Sequence, residues 1–286
     1  MLSSSRLASR EFKELQQVVC GIVAGVISDA QHIDAVGIST AGTVDEDGTV
    51  RSAGHFIGYK MISWSEILLP AIGPIPVTTL NDGRASAWAE YVRVRDTASS
   101  FAHFVVGTGI GGGIVIDRNL HYGAQGAAAA LGHIKISESS TVICSCRRTG
   151  CVETFASAPA IARAWHESAP AAAKKMEFSE IADAALRGDE LAASVITAAG
   201  RHLGYAVANV MSILNPQVTT IGGGVVAATQ RDCGDQDSGP YVSAAAETAK
   251  ELVFPRVAAE AQILPAFYGN DGGLIGAAIF SASRPA

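Results

Sequence analysis

The chain has 286 residues, of which 48% are hydrophobic, so it can bury a sizeable core and suits two modest lobes better than one compact unit. Its 21 basic and 27 acidic residues give a net charge of −6 without any basic run, which argues against a nucleic-acid partner. No apolar stretch reaches spanning length and the N-terminus lacks an apolar signal core, so we expect a cytoplasmic protein without a membrane partner.

The N-terminal third of the chain alternates between helical and extended patterns. Apolar residues recur at helical spacing between Arg10 and Ala30, and this period predicts a helix there. Strands are predicted at Ile33–Thr40 and Val77–Leu80, a hairpin at Val44–Val50, and helices at Ile62–Leu69 and Asp82–Arg95.

The remainder of the chain continues the alternation. Strands are predicted at Phe101–Val106, Gly113–Asp117, Gln217–Ile221 and Glu260–Leu264, and helices at Ala158–His166, Phe178–Leu186, Glu190–Leu214, Tyr241–Leu252 and Asp271–Ser281. The polar stretch Thr229–Pro240 has no periodicity and is predicted to be a loop. Because strands alternate with helices throughout, we expect an α/β protein whose mixed sheet is covered on both faces.

A glycine-rich segment, Gly107–Gly113, joins two predicted strands and is therefore a hairpin. The dinucleotide-binding fingerprint and the Walker A loop are excluded, because both require a helix after the glycines. Glycines let a backbone approach a phosphate closely and direct N–H groups at it, and Thr108 adds a hydroxyl donor. A glycine-rich hairpin without a ligand remains an equal alternative at this point.

Asp82 follows a predicted strand where a helix begins, which is the edge of an α/β sheet at which ligands gather. An aspartate there can accept the proton of a sugar hydroxyl during phosphoryl transfer. The alternative is a purely structural helix cap, made by Asn81 or Asp82, and this position taken by itself favours the cap.

Three cysteines, Cys144, Cys146 and Cys151, lie within eight positions. In a cytoplasmic protein such clustering favours a metal site over disulfide bonds, and a fourth ligand would complete a tetrahedral zinc site. His133 is the nearest histidine upstream. Four protein ligands leave no open position, so we expect the zinc to be structural. Three free thiols are the alternative. Glu153 lies two residues after the last cysteine, where the zinc loop can orient its carboxylate.

Several segments, in this order, resemble the ROK family of sugar kinases and repressors. They are Gly37–Gly42, Asn81-Asp82, Gly107–Gly113, Leu131–His133, the Cys-x-Cys-x4-Cys-x-Glu run, Asn215-Pro216 with Gly222–Gly224, and Gly272–Ala278. Within that family the chain looks most like the N-acylmannosamine kinases. The resemblance implies an actin-like, ribonuclease-H-like fold of two lobes with sugar and ATP in the cleft between them. Residues 1–97 and the last helix, 271–286, would form the N-terminal lobe, and residues 98–270 the C-terminal lobe with a zinc loop at 133–153.

The resemblance also implies a role for individual residues. Asp82 matches the catalytic base. Positions that match sugar contacts are Gly42, Thr43, Asn81, Asp82, His133 and Glu153. Positions that match ATP contacts are Gly107, Thr108, Gly109 and Gly223. His133, Cys144, Cys146 and Cys151 match the ligands of a structural zinc, and Mg²⁺ would accompany ATP. A homodimer is expected.

Three departures from the family pattern stand out. No Asp-x-Gly-Gly-Thr phosphate hairpin precedes Ile33, so we expect the first lobe to be truncated. Ala130 occupies a position where many of the family's kinases carry a sugar-binding glutamate. Arg147 replaces a glycine after the second cysteine, and Arg84 stands where a small or amide side chain is usual.

The resemblance and its departures together leave two functions. The first is ATP-dependent phosphorylation of the 6-hydroxyl of N-acetylmannosamine or a related hexose, which Asp82 and the intact glycine segment favour. The second is a catalytically impaired sugar-binding protein or a relative of the family's transcriptional regulators, which the missing hairpin and Ala130 favour.

Overall fold

The computed structural model describes residues 10–30, 32–53, 56–169, 175–230 and 238–283. The helices are α1 Phe12–Asp29, α2 Trp64–Ile72, α3 Asp82–Val92, α4 Glu153–Ala156, α5 Ala158–Ser168, α6 Phe178–Leu186, α7 Glu190–Leu214, α8 Gly224–Thr229, α9 Gly239–Leu252, α10 Pro255–Glu260 and α11 Gly272–Ser283. The strands are β1 Val36–Thr40, β2 Thr43–Val44, β3 Val50–Ser52, β4 Val77–Asn81, β5 Phe101–Val106, β6 Ile110–Ile116, β7 Asn119–Leu120, β8 Val218–Gly222 and β9 Gln262–Pro265.

The largest sheet has the strand order β7-β6-β5-β8-β9. Strand β5 runs antiparallel to β6 and parallel to β8, and β8 runs parallel to β9, so the predicted mixed sheet is confirmed. In the N-terminal part, β1 pairs with β4 in parallel, and β2 pairs with β3 as a short antiparallel hairpin. Parallel pairing brings the carboxyl ends of β1 and β4 together, and Thr40 lies opposite Asn81 there.

Hydrophobic clusters hold these layers together. The largest lies in the C-terminal part, where α7 packs along α9 and buries Ile196, Leu203 and Tyr241 completely. A second cluster lies around Trp64 and Leu68 and covers the faces of β1 and the β2–β3 hairpin. A third cluster joins α3 and α11 to the large sheet.

Helix α3 occupies the middle of the molecule. It begins immediately after β4, packs on β5 and β6, and is crossed on another side by α11. Its buried residues include three polar ones, Arg84, Ser86 and Glu90, each of which is at most 6% exposed. A buried polar group needs hydrogen-bond partners, and these side chains find theirs outside the helix: Arg84 and Glu90 bond to backbone groups of other segments, and Ser86 bonds to His103 of β5.

The structure corrects several predicted boundaries. Strand β6 begins at Ile110 rather than Gly113, because its glycines suit a close approach to α3: a Cβ on Gly113 would lie 2.4 Å from the Cβ of Ala87. Helices α4, α8 and α10 were not predicted, since each is six residues or shorter and lacks a readable period. Helix α10 extends through Glu260, so the last strand begins at Gln262 rather than Glu260.

The predicted loop Thr229–Pro240 is shorter than expected. Thr229 ends α8 and Gly239 begins α9, while positions 231–237 lie outside the described residues. None of the helices in the described ranges combines the length and the apolar composition that a bilayer crossing requires.

Candidate functional site

The junction of β4 and α3 places an aspartate at the start of a helix without using it as the cap. The side chain of Asn81 is the N-cap, since its Oδ1 accepts a hydrogen bond from the backbone N–H of Arg84 at 3.2 Å. The Asn81 amide donates to the carbonyl of Gly42 at 3.0 Å and to Oδ1 of Asp82 at 2.8 Å. That same oxygen of Asp82 also accepts from the N–H of Gly83 at 2.9 Å. The carboxylate is therefore oriented by an amide and a backbone N–H while Asn81 performs the structural role.

Asp82 faces a cleft with a volume of about 770 Å³. The predicted site residues that line it are Gly42, Asp82, Gly107, Thr108, Gly109, Glu153 and Gly223. Ser39, Ser86 and Asn270 contribute further polar groups to its wall. Of the other residues predicted to contact the sugar, Asn81 and His133 do not line this cleft. Thr43 lines a neighbouring cavity of about 740 Å³ instead. The cleft thus unites the acid, the glycine segment and the Gly223 loop.

The glycine segment makes a tight turn between β5 and β6. The N–H of Gly107 donates to the carbonyl of Gly109 at 2.9 Å, which closes the turn. The carbonyl of Gly107 accepts from the N–H of Ala158 at the start of α5, also at 2.9 Å. The predicted hairpin is confirmed, and α5 supports the turn from behind.

Glu153 connects the glycine turn to the cysteine segment. Its Oε2 accepts a hydrogen bond from the N–H of Ile110 at 3.0 Å, and its Oε1 accepts from the hydroxyl of Ser145 at 2.8 Å. Glu153 is the first residue of helix α4, two positions after the last cysteine. The carboxylate lines the cleft while both of its oxygens are held.

His133, Cys144, Cys146 and Cys151 converge, and their ligand atoms all lie within 4.8 Å of one another. Nδ1 of His133 is 3.5 Å from Sγ of Cys144, and Sγ of Cys146 is 3.5 Å from Sγ of Cys151. Zinc bonds of about 2.3 Å to sulfur and about 2.0 Å to nitrogen separate tetrahedral ligands by roughly 3.5–3.8 Å, so the four residues fit a zinc ion.

The surroundings of this cluster also suit a metal. Three thiolates and one imidazole would leave a net charge of −1 around Zn²⁺, and the ammonium of Lys135 donates to Sγ of Cys151 at 3.1 Å. The backbone loop is closed by hydrogen bonds from Cys144 N–H to the carbonyl of Arg148 and from Arg147 N–H to the carbonyl of Cys144, both at 2.8 Å. The group can hold a metal and would fix the loop that carries Ser145.

A buried histidine next to the cleft was not predicted. Nε2 of His103 lies 2.9 Å from the hydroxyl of Ser86, and its Nδ1 lies 2.8 Å from the hydroxyl of Thr220. Burial lowers the pKa of His103 to about 4, so the ring is neutral and gives one hydrogen bond while accepting the other. The sequence does show a single histidine within the otherwise apolar strand Phe101–Val106, which indicates a buried polar group. Its hydrogen-bond partners could not be identified, because they are distant in sequence.

Comparison with known proteins adds to this geometry. The family model described as "ROK family" matches residues 2–284. The chain belongs to the ROK family. The resemblance read from its motifs is therefore confirmed.

ROK relatives include sugar kinases of more than one kind. The chain is 34% identical over 214 residues to a glucokinase of Halalkalibacterium halodurans, and this match covers 71% of the chain and 62% of that enzyme's length. It is 29% identical over 220 residues to an N-acetylmannosamine kinase of Vibrio cholerae, covering 77% of the chain and 75% of the relative.

Solved ROK structures confirm the fold. A ROK glucokinase from Streptomyces griseus, in complex with glucose and AMPPNP, superposes with a TM-score of 0.81 at 27% identity and covers 99% of the chain and 92% of that protein. A ROK family transcriptional regulator superposes with a TM-score of 0.80 at 25% identity, over 96% and 71% of the two chains. The protein has the predicted α/β fold of ROK sugar kinases, which is actin-like and ribonuclease-H-like.

Proposed function

We propose that this protein is an ATP-dependent hexose kinase that transfers the γ-phosphoryl group to the 6-hydroxyl of N-acetylmannosamine or a related hexose. The observation that carries the proposal is that Asp82 and the Gly107–Gly109 turn line the same cleft. Phosphoryl transfer needs a positioned hydroxyl, a base for its proton and fixed donors around the moving phosphate. The cleft offers a candidate for each of these.

Asp82 would act as the general base. As the sugar hydroxyl oxygen bonds to the γ-phosphorus, the hydroxyl proton passes to the Asp82 carboxylate. The bond between the γ-phosphorus and the oxygen that bridges the β- and γ-phosphates breaks, and that oxygen leaves with ADP. The hydrogen bonds from the Asn81 amide and the Gly83 N–H support this role because they hold the carboxylate in one orientation.

The rest of the cleft would bind the two substrates. Gly107, Thr108 and Gly109 would hold the phosphates with N–H and hydroxyl donors, and Gly223 would contact the adenosine. On the other side, Gly42 and Glu153 of the cleft wall would hold the sugar, together with Thr43, Asn81 and His133, which lie outside the cleft lining. Mg²⁺ bound with ATP would offset the phosphate charge. A structural zinc on His133, Cys144, Cys146 and Cys151 would keep Ser145 beside Glu153.

The substrate is proposed from similarity. The N-acylmannosamine kinase pattern in Asn81–Glu90 and Arg148–Glu153, together with the 29% identity to the V. cholerae enzyme, supports an N-acylated hexosamine. The 34% identity to a glucokinase supports keeping related hexoses in the proposal. The proposal also includes a homodimeric state, a cytoplasmic location and a role in the breakdown of sialic acid.

A second candidate is a sugar-binding protein without catalysis, related to ROK regulators. Two observations favour it: the superposition on a ROK regulator and the methyl group of Ala130, which cannot accept a hydroxyl hydrogen bond. This candidate keeps the sugar side of the cleft and needs no proton acceptor at Asp82.

A coupled assay of ADP release separates the two candidates. The 286-residue protein is assayed with saturating Mg²⁺ and ATP against N-acetylmannosamine, glucose, mannose and N-acetylglucosamine, with calorimetric titration of the same sugars in parallel. ADP release that depends on one of these sugars is the expected result. Sugar binding without ADP release would favour the non-catalytic candidate, and the absence of both would contradict the proposal.

A further inference from the structure

Arg84 is a charged residue buried in the middle of the protein, only 3% exposed, two positions after Asp82. Its Nη1 donates to the carbonyl of Val44 at 2.7 Å, and its Nη2 donates to the carbonyl of Gly126 at 2.5 Å. Nη2 also lies 3.5 Å from the carbonyls of Tyr122 and Ala128, and the guanidinium lies 4.7 Å from the centre of the Tyr122 ring. The guanidinium therefore contacts two separate loops at once.

These two loops line the cavity that lies beside the cleft. Val44 belongs to the β2–β3 hairpin and follows Gly42 and Thr43 directly. The second loop, residues 122–128, leads to the turn that carries His133. The cavity has a volume of about 740 Å³, and its lining includes Thr43, Tyr122 and Gly126. Arg84 thus joins the walls of the cavity that adjoins the cleft.

The buried charge of Arg84 makes its hydrogen bonds a constraint on the distance between the two loops. Burial lowers the pKa of Arg84, yet a guanidinium stays protonated in proteins, so a full charge is held away from water. A buried charge is costly unless it is hydrogen-bonded, and the acceptors among the described residues are backbone carbonyls rather than carboxylates. Moving either loop outward would remove an acceptor from that charge. The two donor nitrogens of the planar guanidinium, which we call the fork, therefore limit the distance between the two loops.

The backbone of Arg84 adds a link to the base. Its N–H donates to Oδ1 of Asn81, and the Asn81 amide in turn donates to Asp82 and to the carbonyl of Gly42. One residue is consequently connected to the proposed base and to both loops. In contrast, Glu90 of the same helix holds the segment that precedes Gly269 and Asn270 of the cleft wall, because its Oε1 accepts from the N–H groups of Phe267 and Tyr268 at 2.9 and 2.8 Å.

We infer that Arg84 is a positioning residue that sets the width of the sugar side of the cleft and thereby the selectivity among hexoses, without touching the sugar. This inference rests on the proposed function. Loss of the fork would let the hairpin and the 122–128 loop separate and would join the cleft to the neighbouring cavity. Sugar recognition would then weaken and discrimination by size would fall, whereas the nucleotide side would be unchanged.

The test compares Arg84→Gln and Arg84→Lys with the exposed control Arg95→Gln. Values of kcat and KM are measured for ATP and for each sugar of the panel, together with thermal stability. For Arg84→Gln we expect the KM of the best sugar to rise on the order of tenfold to a hundredfold, because small misplacements of a site have effects of that size. The KM for ATP stays within about twofold, and the preference for the best sugar over the others shrinks. Lysine does not restore selectivity, because a single ammonium cannot replace the two-sided fork.

A merely structural role gives a different result. It would lower thermal stability and the active fraction while leaving the sugar KM and the selectivity unchanged, and that result would overturn the inference. Equal changes in the KM of sugar and of ATP would overturn it as well. If Arg84→Gln does not fold, Tyr122→Leu removes the ring beneath the guanidinium and is expected to shift the sugar KM in the same direction.

The wild-type protein separates this test from that of the proposed function. Should it bind sugars without turnover, kinase activity is refuted, and calorimetric dissociation constants for wild type and Arg84→Gln replace KM with the same expectation. Should it bind none of the sugars, both the proposed function and this inference are wrong.

Discussion

The backbone N–H of Ile110 donates a 3.0 Å hydrogen bond to the side chain of Glu153, which joins the glycine turn to the segment that follows the cluster of His133 and three cysteines. The second oxygen of the same carboxylate accepts from the hydroxyl of Ser145, which lies between two of the cysteines. A conformational change in the loop that carries the cysteines would therefore alter the cleft through the side chain of Glu153. A metal bound by the cluster would in this way influence the orientation of Glu153 in the cleft without lining the cleft itself.

Ser145→Ala tests that connection without removing a metal ligand. The variant loses one hydrogen bond to a charged group at the surface, so the sugar KM is expected to rise by about twofold to tenfold. Zinc content stays at the wild-type level, and Ser139→Ala, an exposed change in the same loop, serves as control. An unchanged sugar KM in steady-state kinetics would show that Ser145 does not orient Glu153.

Cys146→Ser tests the metal site itself. We expect one zinc per chain in the wild-type protein and little zinc in the variant, because three ligands hold zinc more weakly than four. Cys20→Ser is the matched control, since Cys20 lies in α1, outside the cluster. Elemental analysis of the purified proteins gives the answer, and equal zinc content in both variants would contradict the assignment.

The loop between the cysteines contains two residues with left-handed backbone angles, Arg147 at φ 64° and Gly150 at φ 76°. Arginine is strained there, so Arg147→Gly is expected to raise the stability of the protein by about 1 kcal/mol. Gly150→Ala should have the opposite effect, because its Cβ would lie 1.9 Å from the carbonyl oxygen of Ser137. Thermal unfolding and zinc content are measured together. A stabilising Gly150→Ala would refute the described loop conformation.

The convergence of the cysteines could be predicted from sequence because the three are local, and the junction at Asp82 because strand and helix signals meet there. The partners of Arg84 and His103 could not be predicted. Val44 is 40 residues from Arg84, and Thr220 is 117 residues from His103, so these contacts exist only once the β2–β3 hairpin and β8 are in place. The strand start at Ile110 was missed for a related reason, since packing against α3 overrides the low strand propensity of glycine.

His103 makes stability depend on pH in a defined range. Its pKa in the folded protein is about 4, against an ordinary value of 6.5, because burial disfavours the charged ring. The unfolded chain takes up this proton below about pH 6.5 and the folded protein only below about pH 4. Stability is therefore complete above that range and decreases as the pH falls through it, by about 3 kcal/mol for this residue.

His103→Gln is expected to remove that part of the pH dependence. The carboxylates are common to both proteins, so the difference between their urea unfolding curves at pH 7 and pH 4.5 isolates the histidine. If the two proteins lose the same free energy of unfolding between these pH values, His103 is not the neutral buried group described.

Asp82→Asn provides the most direct measurement of the central claim, that Asp82 accepts the proton of a sugar hydroxyl during phosphoryl transfer. The amide keeps the shape and one oxygen but cannot accept the proton, so kcat for the best sugar is expected to fall by about 10²–10⁴-fold. The dissociation constant of that sugar, measured by calorimetry, should stay within a few-fold of wild type, and the exposed control Asp117→Asn should keep the wild-type rate. Turnover by Asp82→Asn at the wild-type rate would contradict the account.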